Sequence, residues 1–228
     1  MSDSVVPDVA SALQRARTTF MGVELFVEPG VLVPREETEL LGREAVRLLS
    51  AIPGEQRFID LCTGAGNLAC TIARQVETAR GWAADLTESC VRLAARNVME
   101  LGLAPRVEVV QGDLFAPLDA DGLRETIDVI VCNPPYISTS RLKGDRASLL
   151  EHEPREAFDG GPYGLSIHQR VIRDALPFLK RGGRLLFEFG LGQERQMKAL
   201  FDRTRAYGEL RFVEDAASAP RVVVATKL

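Results

Sequence analysis

The sequence predicts an α/β fold in which helices cover both faces of a seven-stranded, mostly parallel sheet. From residue 57 onward, short apolar runs typical of buried strands alternate with amphipathic stretches of helical period, which is the pattern of a doubly wound parallel sheet. The last two β runs follow one another without a helix between them, which implies one antiparallel strand. With 228 residues, 46% of them hydrophobic, the chain can bury one substantial core.

The first 50 residues are predicted to form a small extension in front of this sheet. A weakly amphipathic stretch predicts a short helix over residues 9–17, and partial alternation broken by Gly22 and Pro29-Gly30 suggests a small hairpin within residues 20–33. Apolar residues at helical spacing after Pro34 predict a helix over residues 36–49. We therefore divide the chain into an extension, residues 1–50, and a main domain, residues 51–228.

The main domain is predicted to alternate strands with helices, apart from one long loop at residues 137–164. The predicted strands are residues 57–62, 81–85, 106–111, 126–132, 184–189, 209–213 and 221–226, and the predicted helices are residues 68–76, 88–101, 165–179 and 192–204. Ligands of open α/β sheets bind outside the carboxyl ends of the strands. The residues that follow each strand are therefore the candidates for a functional site.

The overall composition gives no sign of a nucleic-acid or membrane partner. The formal charge of −4 and the pI near 5.4 leave no basic excess to neutralise a phosphate backbone. No apolar run approaches the roughly 18 residues that a membrane span needs, and the first four residues lack the features of a secretory signal. We expect a cytoplasmic protein without such partners, and the sequence does not indicate its oligomeric state.

Neither metal chemistry nor a disulfide scaffold is indicated. The four cysteines form no Cys-x-x-Cys pair, and the chain has only two histidines. A zinc site, a disulfide framework and a histidine-based nucleophilic triad are therefore not expected. The cysteines are interpreted as buried, reduced thiols.

A glycine-rich turn follows the first predicted strand, at residues 60–67. Gly64 and Gly66 allow a tight bend there and a close approach of the backbone to a ligand. This Gly-x-Gly turn alone is weak evidence for any one cofactor, because nicotinamide and flavin domains use it too. It does, however, lack the third glycine of the pyrophosphate-binding fingerprint.

Asp85 and Asp113 narrow the choice of cofactor. Asp85 ends the second strand, where its carboxylate is placed to accept both hydroxyls of a ribose. Asp113 follows the third strand, where it is placed to accept an adenine amino group, with Leu114 or Phe115 covering the ring. Each aspartate alone is as consistent with a helix cap or a turn. Together, on successive strand ends, they favour S-adenosylmethionine over NAD.

The segment Asn133-Pro134-Pro135-Tyr136 follows the fourth strand. Two consecutive prolines neither continue a strand nor open a helix, so the segment is predicted to be a rigid loop. The Asn133 side-chain oxygen and the Pro134 carbonyl offer two fixed acceptors, and Tyr136 offers a flat face for stacking. Together they can hold a planar NH2 group by both hydrogens with its nitrogen facing a methyl donor. This predicts N-methylation of an amide or an aromatic amine.

With these motifs in this order, the chain resembles the protein N5-glutamine methyltransferases of peptide-chain release factors, the HemK/PrmC family. The likeness covers about residues 20–228, and the matching segments are residues 20–22, 31–40, 112–115, 133–137, 153–154, 160–165, 182–190 and 220–223. The resemblance implies the Rossmann-like fold of class I S-adenosylmethionine-dependent methyltransferases, with a small N-terminal helix and hairpin extension.

The resemblance also implies the residues of the site. The cofactor would lie against Asp60, Cys62, Thr63, Gly64, Gly66, Asp85, Leu86, Asp113, Leu114 and Asn133. The acceptor would lie against Pro34, Arg35, Asn133, Pro134, Pro135 and Tyr136, of which Asn133, Pro134 and Tyr136 would be catalytic. Pro34 and Arg35 are equally consistent with a helix start that carries an exposed arginine. No metal is implied.

Three departures from the family pattern bear on the substrate. Only about nineteen residues precede the hairpin, in place of a separate N-terminal helical domain that helps family members to receive the release factor. Cys62 stands where the family loop has its first glycine, and its side chain is expected to crowd the methionine end of the cofactor or to push the loop outward. Tyr163 replaces the usual acidic residue of a glycine-rich run beside the acceptor.

Several functions remain open on the sequence alone. The leading interpretation is an S-adenosylmethionine-dependent methyltransferase of the N5-glutamine type that methylates a planar or amide-like nitrogen, and two substrates compete within it. A release-factor glutamine is favoured by the set of motifs. A tailoring enzyme for a small metabolite or a peptide is favoured by the three departures. Methylation of adenine in DNA shares the same loop chemistry but is disfavoured by the acidic balance. A non-catalytic S-adenosylmethionine-binding protein is the remaining alternative, and the intact loop at residues 133–136 argues against it.

Overall fold

A computed structural model describes residues 9–119, 122–144, 146–151 and 153–228, and all of their side chains except those of Ser148 and Glu209. The first eight residues of the predicted extension lie outside these ranges. The rest of the extension consists of helix α1 (Val9–Arg15), strands β1 (Arg17–Phe20) and β2 (Val23–Phe26), and helix α2 (Glu39–Ser50), which follows a 3-10 turn at Glu36–Thr38. The predicted helices of the extension are thus confirmed to within three residues.

The hairpin of the extension lies earlier in the chain than predicted. Its arms pair Arg17 with Phe26 and Phe20 with Val23, so the turn is Met21-Gly22. Both turn residues have positive φ, 47° and 80°, as two-residue hairpin turns require. Of the two breaks in the predicted segment at residues 20–33, Gly22 lies in the turn, whereas Pro29-Gly30 lies in the loop that follows β2.

The main sheet has seven strands in the order β5-β4-β3-β6-β7-β9-β8. Its strands are β3 (Gln56–Leu61), β4 (Ala79–Asp85), β5 (Val107–Gln111), β6 (Ile127–Cys132), β7 (Leu179–Glu188), β8 (Tyr207–Glu214) and β9 (Pro220–Lys227). Strand β9 runs antiparallel to both neighbours, and the other adjacent pairs are parallel. The predicted α/β fold with one antiparallel strand is confirmed.

The helices of the main domain follow the prediction except in the second half. They are α3 (Asn67–Gln75), α4 (Glu88–Glu100), α5 (Thr139–Lys143), α6 (Ser166–Asp174) and α7 (Glu194–Thr204). The helix predicted to reach residue 179 ends at Asp174, because Pro177 has no N–H for the helical ladder, and Leu179 already begins β7. The loop predicted at residues 137–164 contains α5 and two 3-10 turns, which are too short to show a helical pattern.

Both faces of the sheet are covered, as the alternation along the strands requires. On β3, Phe58 packs into the layer formed with the extension, α2, α3 and α4, whereas Ile59 packs against α6 and α7. The buried Asn97 of α4 ties the extension to this body, since its amide bonds Phe26 on both the N–H and the carbonyl, and also the Ala65 carbonyl. Across the described ranges, no helix combines the length and apolar character of a membrane span.

Candidate active site

The carboxyl ends of β3, β4, β5 and β6 meet at one edge, where the strand order reverses between β3 and β6. The loop after β3 is held from behind by Asp60, which is fully buried. Its Oδ2 accepts hydrogen bonds from the Thr63 hydroxyl at 2.5 Å and from the Ala69 N–H at 3.0 Å. Burial raises the pKa of Asp60 to about 7. Asp60 therefore shapes the loop, and its side chain does not face the open edge.

Three residues of this loop have left-handed backbone conformations. The φ angles of Cys62, Gly64 and Gly66 are 55°, 56° and 78°. A Cβ at Gly66 would approach Ala94 of α4 to 3.1 Å, whereas a Cβ at Gly64 would meet open space. Cys62 thus keeps the backbone expected of a glycine at a cost of about 1 kcal/mol, and its side chain lines the same cleft as Thr63 and Gly64.

The end of β4 supplies a carboxylate beside the loop. Asp85 Oδ2 accepts a hydrogen bond from the Gly64 N–H at 2.9 Å, and Oδ1 accepts one from the Thr87 N–H at 3.1 Å. The neighbouring Leu86 is 60% exposed, which is unusual for a large apolar side chain. This strand end therefore combines acceptor oxygens with an exposed apolar surface.

The end of β5 offers less than the sequence suggested. Asp113 is half-exposed, and its Oδ2 is paired with Arg170 of α6 at 2.8 Å. Leu114 and Phe115 are buried, and the Phe115 ring stacks on Phe178 with centroids 4.8 Å apart. These two side chains belong to the core, so of the apolar residues at the strand ends it is Leu86 that has a face open to a ligand.

The segment after β6 is a rigid corner held by side chains from distant elements. Asn133 Nδ2 donates to the Thr38 hydroxyl at 3.0 Å, and this hydroxyl donates to Glu188 Oε2 at 2.8 Å. The Tyr136 hydroxyl donates to Glu188 Oε1 at 3.0 Å, and the residue is mostly buried. Burial, followed by the neighbouring Glu188 carboxylate, raises the pKa of Tyr136 well above its ordinary value.

Two glycines allow the backbone to pass directly beneath this corner. A Cβ at Gly160 would lie 2.6 Å from the Pro135 carbonyl oxygen, and one at Gly164, where φ is +70°, would collide with the Tyr136 carbonyl. The Ile137 N–H and carbonyl bond Phe158 and Gly160 at 2.9 Å each. The glycine-rich run at residues 160–164 is therefore needed for close packing against the corner.

Pro34 and Arg35 form the wall opposite the loop after β3. Buried Glu153 accepts the Val33 N–H at 2.9 Å through Oε1 and pairs with Arg35 through Oε2. Arg35 does precede a helical turn, at Glu36–Thr38, but it is mostly buried and paired, so the expectation that it would be exposed was wrong. Pro34 and Arg35 line one cleft with Thr38, Cys62, Thr63, Gly64 and Asn133.

This cleft is narrow, with a volume of about 30 Å³, close to the volume of one water molecule in the liquid. Its enclosed part can therefore hold only the reacting groups of larger molecules. A larger cavity of about 550 Å³ lies between the hairpin and helices α3 and α4, and its walls include none of the predicted site residues. Because chemistry needs the convergent polar groups, we assign the site to the smaller cleft.

The cleft brings together six of the predicted site residues, namely Pro34, Arg35, Cys62, Thr63, Gly64 and Asn133. The cleft contains the acceptor-side wall, the loop after β3 and Asn133, whereas the side chains of Asp60 and Leu114 face the protein interior. Sequence reasoning missed Thr38 and Glu188, which hold the corner, and Arg221, whose Nη2 lies 3.9 Å from Glu188 Oε1. One signal was present, since Glu188 is a single acidic residue within the apolar run of residues 185–189.

Tyr163 and Leu191 mark the outer rim of the same region. Tyr163 is 83% exposed and Leu191 is 62% exposed. The neighbouring Gly164 and Gly190 both pack against Tyr136. An apolar surface therefore flanks the corner on its solvent side.

Comparisons with known proteins show that the chain is similar to methyltransferases. The family model described as Methyltransferase small domain matches residues 43–161. The chain is 37% identical over 207 residues to the release factor glutamine methyltransferase of Moorella thermoacetica, a match that covers 90% of this chain and 71% of that protein.

A second relative is named for a different acceptor. The 4-amino-L-phenylalanine/4-methylamino-L-phenylalanine methyltransferase of Streptomyces pristinaespiralis is 36% identical, covering 81% of this chain and 62% of that protein. Among solved structures, the release-factor-specific protein-(glutamine-N5) methyltransferase of Alicyclobacillus acidocaldarius superposes with a TM-score of 0.51 at 26% identity. That match covers 88% of this chain and 98% of the solved one.

Proposed function

The chain belongs to the family of release factor glutamine methyltransferases, and from that premise we propose that it transfers a methyl group from S-adenosylmethionine to the side-chain nitrogen of a protein glutamine. One observation carries the proposal. The Asn133 carboxamide lies in the cleft beside the loop after β3, and its Nδ2 is already bonded to Thr38. Its oxygen therefore remains to accept a hydrogen from an NH2 group.

The residues around the cleft fit S-adenosylmethionine, which supplies an electrophilic methyl group when bound. Asp85 and the exposed Leu86 offer a carboxylate for ribose hydroxyls and an apolar face for a base. Gly64 leaves open space on the side where a ligand would approach the loop. Buried Arg35 Nη1 has no hydrogen-bond partner within the described part of the chain, which fits an oxygen atom of a ligand.

The other predicted cofactor residues take supporting parts in this proposal. Thr63, Gly66 and Cys62 form the loop that borders the methionine end, and Asp60 holds that loop from below. Asp113 keeps one carboxylate oxygen beyond the one paired with Arg170. Leu114 contributes its backbone at the end of β5, because its side chain is buried.

The chemistry of the acceptor is mainly a matter of alignment. An amide nitrogen is a poor nucleophile because its lone pair is delocalised into the carbonyl. Hydrogen bonds from the NH2 group to the Asn133 oxygen and the Pro134 carbonyl would hold the nitrogen in line with the methyl group. Tyr136 would stack on the amide plane with the part of its ring that is not buried, and Pro135 keeps the corner rigid. The proton then leaves to water.

A small aromatic amine is the second candidate acceptor. It is favoured by the relative named for 4-amino-L-phenylalanine and by Tyr163, which stands at the rim beside the corner. An aniline nitrogen and an amide nitrogen are both planar NH2 donors, so the same two acceptors suit either. A cytoplasmic location is part of the proposal and is supported by the four cysteines, which are free thiols in the structure.

A direct assay separates these acceptors. Purified protein and S-adenosylmethionine are incubated with an unmethylated bacterial release factor or with 4-amino-L-phenylalanine, and mass spectrometry follows the gain of one methyl group. We expect the release factor to gain it on a glutamine. Asn133→Ala should abolish turnover while cofactor affinity stays within about tenfold, because alignment is lost rather than binding.

Met99→Ala, an exposed change on α4, is the matched control and should retain turnover. If only 4-amino-L-phenylalanine gains a methyl group, the acceptor is a small aromatic amine and the proposal of a protein glutamine is wrong. No methylation of either acceptor by the wild type would reject the proposed function.

A further inference from the structure

Glu188 is a buried carboxylate that the chemistry above does not use. It ends β7 and is 3% exposed. Its two oxygens accept from the Thr38 and Tyr136 hydroxyls, and Arg221 Nη2 of β9 lies 3.9 Å from Oε1. A charge in the interior is costly unless it is paired and hydrogen-bonded, so this arrangement is built to hold a carboxylate at one place.

The hydrogen atoms of this network can be counted. A threonine hydroxyl has one hydrogen, and an ionised carboxylate can only accept. Thr38 therefore gives its hydrogen to Glu188 and can only accept at the contact with Asn133. The atom of Asn133 that faces Thr38 must then be Nδ2, which leaves Oδ1 on the other side.

A protonated Glu188 would reverse this order. Its hydroxyl would donate to Thr38, whose own hydrogen would then turn toward Asn133. The carboxamide oxygen would be drawn to Thr38, and the Asn133 NH2 group would face the acceptor. Two NH2 groups cannot hydrogen-bond each other through their hydrogens, so the acceptor would not be held.

On the basis of the proposed function, we infer that Thr38, Glu188 and Arg221 are positioning residues that fix the orientation of the Asn133 carboxamide, so that its oxygen meets the acceptor NH2 group. Glu188 acts through the Thr38 hydroxyl, and Arg221 keeps the carboxylate ionised. Thr38 lines the cleft, but its hydroxyl is engaged by Glu188 and Asn133, so the three residues act on the acceptor through Asn133. They favour one of the two orientations of the Asn133 carboxamide, which have nearly the same shape but exchange the positions of its oxygen and its NH2 group.

Groups from four elements set the charge state of Glu188. Burial raises its pKa, and the hydrogen bond from Thr38 and the Arg221 guanidinium oppose that rise. The Tyr136 hydroxyl also lowers the pKa, and Glu37 in the 3-10 turn raises it.

From α6, the His168 Nε2 lies 3.0 Å from the Glu188 carbonyl oxygen. Burial lowers the pKa of His168 to about 4, so this ring is neutral at neutral pH. The charged residues that set the ionisation of Glu188 are therefore Arg221, which favours the carboxylate, and Glu37, which opposes it.

The first experiment removes only the hydroxyl of Thr38. Thr38→Val keeps the shape, and we expect kcat on the acceptor that the wild type methylates to fall about 10²-fold, with S-adenosylmethionine affinity by calorimetry nearly unchanged. Thr38→Ser restores the hydroxyl and should recover most of kcat. The matched control is Thr71→Val, because the Thr71 hydroxyl is buried and has no hydrogen-bond partner among the described residues.

The second experiment reads the charge of Glu188 through the pH profile. Arg221→Met removes the opposing positive charge, so the acid limb of kcat should move to higher pH, and raising the pH should recover activity. Arg221→Lys should restore the limb toward the wild-type position. A merely structural role for Arg221 would lower activity equally at every pH.

The outcomes separate the inference from the function on which it rests. A wild type that methylates no acceptor defeats the proposed function. If the wild type methylates its acceptor but Thr38→Val keeps its full kcat, the positioning network alone is overturned. The same holds if the acid limb of the pH profile does not move in Arg221→Met. If Thr38→Val fails to fold, the Arg221 pH profile decides.

Discussion

Lowering the pH from 7 to 5 is expected to cost the fold about 2 kcal/mol at His168 alone. This side chain is fully buried in α6, its ring meets Phe187 edge-on, and its Nε2 lies 3.0 Å from the Glu188 carbonyl oxygen. Burial lowers the pKa of His168 from 6.5 to about 4. Between these values the unfolded chain binds a proton that the folded chain does not.

The sign and size of the effect follow from this difference in proton binding. Above pH 6.5, His168 is neutral in both the folded and the unfolded chain and does not lower the free energy of unfolding. As the pH drops from 6.5 toward 4, the unfolded chain alone binds the proton, and the free energy of unfolding falls. The full loss is about 3 kcal/mol, of which about 2 kcal/mol accrue between pH 7 and pH 5.

Urea unfolding of the wild type and of His168→Gln at both pH values measures the effect. Glutamine keeps a donor for the Glu188 carbonyl and does not titrate. The wild type should lose about 2 kcal/mol more than the variant on acidification. Equal losses in the two proteins would refute the reasoning.

Asp60 acts in the opposite direction and has to be separated from His168. Burial raises its pKa from 3.8 to about 7, so the folded state holds a proton that the unfolded state releases between these values. The stability from Asp60 is therefore present at low pH and lost as the pH rises toward 7. Because both proteins in the comparison contain Asp60, its contribution cancels in their difference.

Three further substitutions test the site. Asp85→Ala removes the acceptor of a loop N–H, and S-adenosylmethionine affinity by calorimetry should fall at least about tenfold; wild-type affinity would remove Asp85 from the cofactor site. Gly164→Ala places a Cβ against the Tyr136 carbonyl and should lower the free energy of unfolding in urea by about 3 kcal/mol. The control Gly102→Ala has a similar φ but meets open space, so it should cost about 1 kcal/mol. Equal costs would contradict the packing argument. Cys62→Gly relieves a left-handed backbone and should stabilise by up to about 1 kcal/mol, whereas Cys62→Ala should not; equal effects would exclude strain at this position.

The order of strands and helices was predictable because it is a local property of the sequence. On β3, Phe58 packs on one face of the sheet and Ile59 on the other, so the strand is apolar on both faces and is visible in the sequence as a short apolar run. The antiparallel β9 followed from the missing helix between the last two β runs. The family resemblance is confirmed by the comparisons, and it rested on motifs that are likewise continuous in sequence.

Element ends were harder to predict where one residue behaves unlike its type. The hairpin turns at Met21-Gly22, where the bulky Met21 has a φ of 47°, and its first strand begins at Arg17, before the predicted segment. Pro177 was within the apolar pattern that predicted a longer helix, and its missing N–H outweighed that pattern. Both errors arise because the pattern of apolar residues was given more weight than the backbone conformation of single residues.

The positioning network could not be predicted because its members are distant in sequence. Thr38, Asn133, Glu188 and Arg221 come from the 3-10 turn before α2, the loop after β6, the end of β7 and the start of β9. Only the fold brings them together. Thr38 is hydrogen-bonded to Asn133, which is 95 positions away in the sequence, and to Glu188, which is 150 positions away. The one local signal of this network in the sequence is Glu188, a single acidic residue in an apolar strand.

The central claim is that a fixed asparagine oxygen and a proline carbonyl hold the acceptor NH2 group. A crystal structure with S-adenosylhomocysteine and a glutamine-containing peptide tests it most directly. The account predicts the glutamine nitrogen within about 3 Å of both the Asn133 carboxamide and the Pro134 carbonyl, with Thr38 still bonded to Asn133. A glutamine bound elsewhere, or an Asn133 side chain turned away from it, would contradict the claim.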